Sequence, residues 1–198
     1  SLRTGHILEK NNMANKDAAF GLKAIGKVGQ NRDNQGLSEY SIAANATAIY
    51  QWDPVEMLAT GTVGVAAAAD VLIGSLNGVF YTDSANSKPT WANHLAASNT
   101  ATDIVGFVSD DPYERFEVQS AGTVAAADVG LCADIVYAAG ATPDYISKVE
   151  ISGTMATTTA QLKIIGLSKD IENNDPSAAN GNVVVIINEH FMKQTAGI

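Results

Sequence analysis

The sequence is short of the residues that build redox, metal and nucleophilic centres. Its 198 residues include a single cysteine, Cys132, and three histidines that stand far apart, His6, His94 and His190. One cysteine excludes an internal disulfide and a multi-cysteine zinc site, and none of the patterns H-x-x-x-H, H-E-x-x-H or G-x-S-x-G occurs. We therefore predict that the chain is not an enzyme and uses no cofactor or metal. Cys132 is expected to be a small buried side chain.

Positive charge is scarce as well. The chain has 12 lysines and arginines against 21 aspartates and glutamates, a formal net charge of -9. This charge argues against a nucleic-acid partner, because phosphate binding needs a basic face. The charge is uneven, since residues 1–36 sum to +3 and the remainder to -12. A basic segment on an acidic body indicates that the segment docks where the body does not.

Long apolar runs are missing too. None approaches the ~18 residues of a membrane-spanning helix, and the N-terminus has no apolar signal-peptide core. We therefore expect a soluble product, made inside a cell, with no membrane partner. With 46% hydrophobic residues, the chain is long enough for one well-filled core and too short for two full domains.

The N-terminal part differs in texture from the rest. Residues 13–38 are polar and interrupted by glycines, which predicts an extended basic arm rather than a packed element. Residues 1–12, which precede Met13, are interpreted as a translated leader or a cloning remnant. Apolar side chains alternate with charges along the arm, and the residues predicted to bind a partner are Lys16, Phe20, Leu22, Ile25 and Lys27. Deleting residues 1–36 is expected to abolish docking and to leave the body folded.

Residues 39–192 consist of short β-like runs with turn residues between them, followed by a short tail over 193–198. No stretch has a strong helical period, and roughly eight to ten strands are predicted. The predicted fold class is all-β, a single β-barrel or sandwich of short antiparallel strands with an extended N-terminal arm.

Two stretches give the clearest strand signals. An apolar run at 104–108, an acidic turn at 110–112 and an alternating run at 115–119 predict a central hairpin. In the second run, Phe116 and Val118 are expected to face the core. The β-branched run 183–188 predicts a central strand of a sheet.

Three patterns resemble functional motifs but have simpler interpretations. The stretch 21–28 nearly matches a phosphate-binding loop, yet its last position is valine rather than a hydroxyl residue, and no strand precedes it. The acidic loop 170–175 lacks the spacing of a helix-loop-helix calcium site and reads as a solvated turn. Asp110 and Asp111 are adjacent and face opposite sides of a strand end, which favours turn formation over acid–base chemistry.

The two tryptophans, Trp52 and Trp91, lie in turn-like contexts beside prolines. Aromatic side chains at such positions either pack under loops or anchor a partner. We favour packing for both.

An ordered series of segments carries a family resemblance. The segments are 13–22 (MANKDAAFGL), 48–55 (AIYQWDPV), 78–81 (GVFY), 88–91 (KPTW), 110–112 (DDP), 116–119 (FEVQ), 161–167 (QLKIIGL) and 185–190 (VIINEH). Together they resemble a group of small virion structural proteins of tailed phages, notably marine and cyanobacterial ones. The resemblance runs from Met13 to about His190 and leaves residues 1–12 outside.

The resemblance implies a capsid cement, or decoration, protein. Such proteins bind the outer surface of the expanded icosahedral head in many copies and clamp neighbouring major capsid subunits. The implied partners are the major capsid protein and further copies of the chain itself, as a dimer or trimer. The implied location is the outer surface of the virion, after assembly in the host cytoplasm. The family carries no catalytic residues.

Three alternatives stay open at this point. A tail tube or head-completion protein would also be all-β with arms, but a tube protein would polymerise into rings alone. A carbohydrate-binding adhesion module would display a row of exposed aromatic rings, which an aromatic content of 7%, spread along the chain, makes less favourable. A hydrolase has the least support, since no serine is singled out as a nucleophile.

Overall fold

The structure is a computed structural model that describes residues 14–29 and 36–194. Within these ranges the chain forms thirteen strands and two short 3₁₀ turns, Ala126–Asp128 and Phe191–Lys193. In chain order the strands are β1 Lys23–Lys27, β2 Ser38–Ser41, β3 Pro54–Met57, β4 Val63–Val65, β5 Leu72–Asp83, β6 Lys88–Ala92, β7 Val105–Ser109, β8 Glu114–Gln119, β9 Cys132–Ala133, β10 Ile135–Val136, β11 Glu150–Ile151, β12 Leu162–Leu167 and β13 Asn182–Ile187. The proposed leader 1–12, Met13 and most of the tail, from residue 195, lie outside the described residues.

The strands form two principal sheets in which all pairings are antiparallel. The six-stranded sheet has the order β2-β7-β5-β3-β4, and β6 pairs with the second half of β5. The five-stranded sheet has the order β1-β8-β13-β12-β9, and β10 pairs with β11 alone. The all-β prediction is therefore confirmed, as a sandwich-type domain.

Two clusters of buried apolar side chains make up the core. One lines the five-stranded sheet and includes Phe116 and Val118 of β8, as the alternation of that strand predicts. The other lines the six-stranded sheet and includes Ile73 and Val108. Leu72, the first residue of β5, packs in the first cluster while its neighbour Ile73 packs in the second, so this strand links the two halves of the core.

The predicted hairpin at 104–119 is wrong, although both of its strands exist. β7 belongs to the six-stranded sheet, where β2 and β5 occupy its two edges. β8 belongs to the five-stranded sheet, where β1 and β13 occupy its edges. The acidic turn therefore carries the chain from one sheet to the other, because each strand finds its pairing partners elsewhere in the sequence.

The prediction of a central strand near the C-terminus is confirmed. β13 lies third of five in its sheet, between β8 and β12. Its Val183, Val185 and Ile187 are buried in the core. Cys132 at the start of β9 is also buried, as expected for a lone thiol among apolar neighbours.

Candidate interaction surfaces

The N-terminal segment 14–29 is part of the folded body. Leu22 is fully buried in the cluster beneath the five-stranded sheet, and Phe20 is half-buried. Residues 23–27 are not an arm but an edge strand, β1, paired with β8. Leu22 therefore cannot serve as an anchor on a partner, because its side chain is already committed to the core.

The other predicted docking residues have different surroundings. The Lys27 ammonium lies 2.7 Å from an Asp111 carboxylate oxygen, and both side chains are largely shielded. Lys16 is exposed, and Ile25 exposes 43% of its surface. The structure thus leaves Lys16 and Ile25 as surface groups, while Leu22 and Lys27 have structural roles within the chain.

Asn15 fastens the start of this segment to a distant loop. Its side-chain amide donates to the carbonyl oxygens of Asp175 and Ala179, both at 2.9 Å, and of Ala178 at 3.3 Å. Its side-chain oxygen accepts from the Asp175 amide at 3.0 Å. A buried amide that satisfies so many backbone groups is costly to remove, so Asn15 fixes the loop and the segment against each other.

A second set of hydrogen bonds joins the segment to β8. The buried Gln119 accepts from the Ala18 amide at 2.9 Å and donates to the Lys16 carbonyl oxygen at 2.8 Å. Asn173 donates to the same carbonyl at 2.7 Å and accepts from the Lys16 amide at 3.2 Å. Both contacts use the backbone of Lys16, whose side chain is exposed.

Gly21 allows the segment to cross closely over the body. Its amide donates to the Val149 carbonyl, and the next amide, that of Leu22, donates to the Trp52 carbonyl. Gly21 has φ +77, and a Cβ there would lie 2.5 Å from the Cβ of Ser147. Only glycine fits such an approach with a left-handed backbone.

β1 lies at the end of the five-stranded sheet. It pairs with β8, with a register shift between Ala24 and Gly26, and no other strand of the described residues pairs with it. Lys23 is exposed, with its ammonium 5.5 Å from the centre of the Trp52 ring. Together with Ile25, it gives this edge one cationic and one apolar side chain.

An acidic side chain of β8, Glu114, contacts the backbone of β1. Glu114 accepts a hydrogen bond from the Gly26 amide at 3.2 Å. Burial raises the pKa of the Glu114 carboxyl above its usual range, although the Gly26 amide and Lys27 act in the opposite direction. The Glu114 carboxyl of β8 therefore helps to fix the backbone of β1 at Gly26.

Sequence reasoning missed a second surface, an aromatic cluster on the outer face of the six-stranded sheet. Trp91 is 70% exposed, contrary to the packing role favoured for it. Its ring lies 5.0 Å from that of Phe107, nearly parallel at 22°, and 4.9 Å from that of Phe80, tilted by 52°. Phe107 belongs to the apolar run 104–108. Ile104 and Val108 of this run are buried, while Phe107 is half-exposed, because alternate side chains face opposite sides of a strand.

The acidic residues considered as catalytic or metal-binding groups have local structural partners. Asp110 accepts hydrogen bonds from the hydroxyls of Ser38 at 2.9 Å and Tyr40 at 2.6 Å. Asp170 accepts from the side-chain amide of Asn182 at 3.3 Å. Within residues 14–29 and 36–194, no three histidine, cysteine or acidic side chains are grouped as metal ligands.

The two histidines in the described part of the chain lie apart. The His94 ring stacks on that of Tyr145, with centroids 3.9 Å apart, and burial lowers the pKa of His94. His190 is fully buried, and its Nδ1 accepts from the Met192 amide at 3.1 Å. His6 lies outside the described residues.

Comparison with known proteins gives no relative from which a role could be transferred. No family model, no curated protein sequence and no solved structure matches this chain. In the described ranges, no helix has the length and apolar character that a membrane-spanning helix needs.

Proposed function

We propose that the chain is a virion structural protein, a cement protein that binds the outer surface of an icosahedral phage head and bridges major capsid subunits. Support comes from the ordered series of segments between residues 13 and 190, and from a sandwich-type body that holds its N-terminal segment in a fixed place. The observation that carries the proposal is the edge strand β1.

β1 has the features of a docking edge. Edge strands that face water are normally protected, often by lysine, because their unpaired backbone groups invite another strand. Here Lys23 stands beside Ile25, an apolar side chain exposed on the same strand. Adding a strand of a capsid subunit to this edge would pair the backbone groups of β1 and cover Ile25.

A fixed edge suits a protein that acts in many copies. The hydrogen bonds of Asn15 and Gln119 order the segment before any partner is met, so docking does not have to order it. Repeated on a shell, a modest affinity at each copy is sufficient when every copy joins neighbouring subunits.

The test is co-sedimentation of the full chain with undecorated, expanded heads of the same phage. We expect saturable binding at a fixed ratio to the major capsid protein. The double variant Lys23→Glu/Ile25→Glu should bind at least about tenfold more weakly, because it places negative charge on the docking edge. Deletion of residues 1–36 is not a suitable test, because it would also remove Leu22 and β1 from the folded body.

The chain offers a matched control. Lys169 and Ile171 repeat the same two residues at the same spacing in an exposed loop, where Ile171 is 89% exposed. Lys169→Glu/Ile171→Glu should bind as the unaltered protein does. Absence of saturable binding would refute the cement function, and spontaneous rings or tubes would indicate a tail component. Equal binding by both double variants would refute β1 as the docking edge.

A further inference from the structure

We propose that Trp91, Phe107 and Phe80 form a binding platform for a neutral pyranose oligosaccharide, a site separate from the capsid-docking edge. The platform lies on the outer face of the six-stranded sheet, whereas β1 belongs to the five-stranded sheet. The two sites can therefore be tested independently of each other.

The pairing register brings the three rings together. Trp91 of β6 stands directly opposite Phe80 of β5, and Phe80 stands opposite Val105 of β7. In the next row Phe107 stands opposite Gly78, which has no side chain to separate the rings. Trp91 can therefore lie against both phenylalanines, and the strands hold the rings in fixed positions.

The exposed ring faces fit the apolar side of a sugar. The π-face of an aromatic ring is electron-rich, and one face of a pyranose with equatorial hydroxyls consists of C–H bonds that carry partial positive charge. Trp91 exposes 70% of its surface although its ring stacks on Phe107. A flat ring backed by other rings on a rigid sheet presents such a surface without a cost of ordering.

Polar groups border the rings where sugar hydroxyls would lie. Glu39 stands opposite Phe107 and Ser41 stands opposite Val105, and both are exposed. A carboxylate accepts hydrogen bonds from hydroxyl groups, and a serine hydroxyl both donates and accepts. A dry protein interface would instead need a wider apolar centre.

Charge selects among sugars. The whole chain carries -9, and the Glu39 carboxylate stands next to the platform. Sulfated or uronic-acid chains would meet like charge, so the expected ligand is neutral. A β-1,4-linked chain, with equatorial substituents on every ring, offers flat apolar faces that can lie on the exposed Trp91 ring, which the two phenylalanines support.

The experiment uses the two tryptophans of the chain. In the full-length Trp52→Phe variant, Trp91 is the sole tryptophan, so its fluorescence reports directly on the platform. Cellohexaose and chitohexaose are titrated into this variant, and binding is measured in parallel by calorimetry on the unaltered protein. We expect a saturable change in fluorescence with at least one of the two hexasaccharides.

Substitutions at Trp91 separate a glycan site from other uses of the face. Trp91→Ala should weaken sugar binding at least about fivefold, and Trp91→Tyr, which retains a ring, should weaken it less. Ile171→Ala, which removes an exposed apolar side chain elsewhere, should have no effect. Thermal unfolding of each variant checks that the fold is kept.

Three outcomes would overturn the proposal. The first is no binding of either hexasaccharide, and the second is binding that Trp91→Ala leaves unchanged. The third is loss of co-sedimentation with phage heads in Trp91→Ala without any sugar binding by the unaltered protein, which would make this face a protein interface. None of these results alters the test of β1, which uses substitutions on the other sheet.

Discussion

The Asp53 carboxyl is fully buried just before β3, and its two oxygens have different surroundings. Oδ2 accepts a hydrogen bond from the Tyr50 amide at 2.8 Å, while Oδ1 has no hydrogen-bond partner among the described residues. Burial raises the pKa of Asp53 to about 6, although the nearby Ser147 hydroxyl and the Tyr50 amide act to lower it. The folded protein thus holds a proton on Asp53 at pH values where the unfolded chain has lost it.

This protonation predicts a stability that depends on pH in a defined direction. Between pH 3.8, the ordinary pKa of the group, and pH 6, the folded state binds more protons, so the free energy of unfolding falls as the pH rises. Asp53→Asn removes this loss of stability with rising pH, because the amide does not titrate, and its oxygen can still accept from the Tyr50 amide. The free energy of unfolding of the variant, relative to that of the unaltered protein, should therefore be up to about 3 kcal/mol higher at pH 7.5 than at pH 4.

Urea denaturation at the two pH values measures this change. Asp144→Asn, at an exposed position, serves as the control and should show the same difference from the unaltered protein at both pH values. An Asp53→Asn effect that does not vary with pH would contradict the assignment of a buried, protonated carboxyl.

Two glycines with nearly the same backbone angle separate steric crowding from backbone strain. Gly21 has φ +77 and Gly61 has φ +78, but a Cβ at Gly61 would meet nothing within 4 Å. Gly61→Ala should therefore cost only about 1 kcal/mol. Gly21→Ala, which drives a methyl group against Ser147 and the Trp52 carbonyl, should cost about 2–4 kcal/mol. Thermal and urea unfolding measure both, and equal losses would show that no close contact exists at Gly21.

At the scale of elements, the N-terminal segment and the loop 173–181 form one unit through Asn15. Asn15→Ala removes four hydrogen bonds to three loop residues and should cost about 1–3 kcal/mol. Hydrogen exchange should accelerate in both the segment and the loop. The control is Lys16→Ala, which keeps the backbone contacts to Gln119 and Asn173 and should leave exchange unchanged. Faster exchange confined to the segment would contradict the coupling.

Strands with a strong local pattern were predictable, and those defined by distant partners were not. β8 and β13 have alternating or β-branched sequences, and both lie where the pattern indicates. β1 has only a few isolated apolar residues, so its sequence resembles a flexible arm. Its pairing with β8 and the burial of Leu22 depend on residues far along the chain, which local periodicity does not report.

The same limit applies to the long strand β5. Gly74 and Gly78 interrupt the apolar pattern of this stretch, yet residues 72–83 form one continuous strand. In the fold, a Cβ at Gly74 would collide with the Ser109 backbone of β7, so this glycine lets two strands approach and continues the element. Gly74 therefore marks a close approach between β5 and β7 rather than a turn.

At the scale of the whole molecule, the interaction surfaces arise from assembly rather than from motifs. Of the five predicted docking residues, Leu22 is in the core and Lys27 is paired with Asp111, while Ile25 remains on an exposed edge. The aromatic cluster combines single residues from three strands, Phe80, Trp91 and Phe107. None of the three forms a recognisable motif in its own segment, and the low aromatic content of the chain predicted no aromatic surface. The surface exists because the fold brings these three rings together.

The position of β1 also affects how the chain is made. Its pairing partner, β8, begins 87 positions after β1 ends, an interval that takes roughly 4–17 s to translate at typical rates. The last strand of the six-stranded sheet ends at Ser109, five positions before β8 begins, so Leu22 and β1 are without their partner strand while that whole sheet is being synthesised. A chaperone that shields Leu22 and Ile25 during this interval would raise the yield of folded protein, and slower translation would lengthen the exposure.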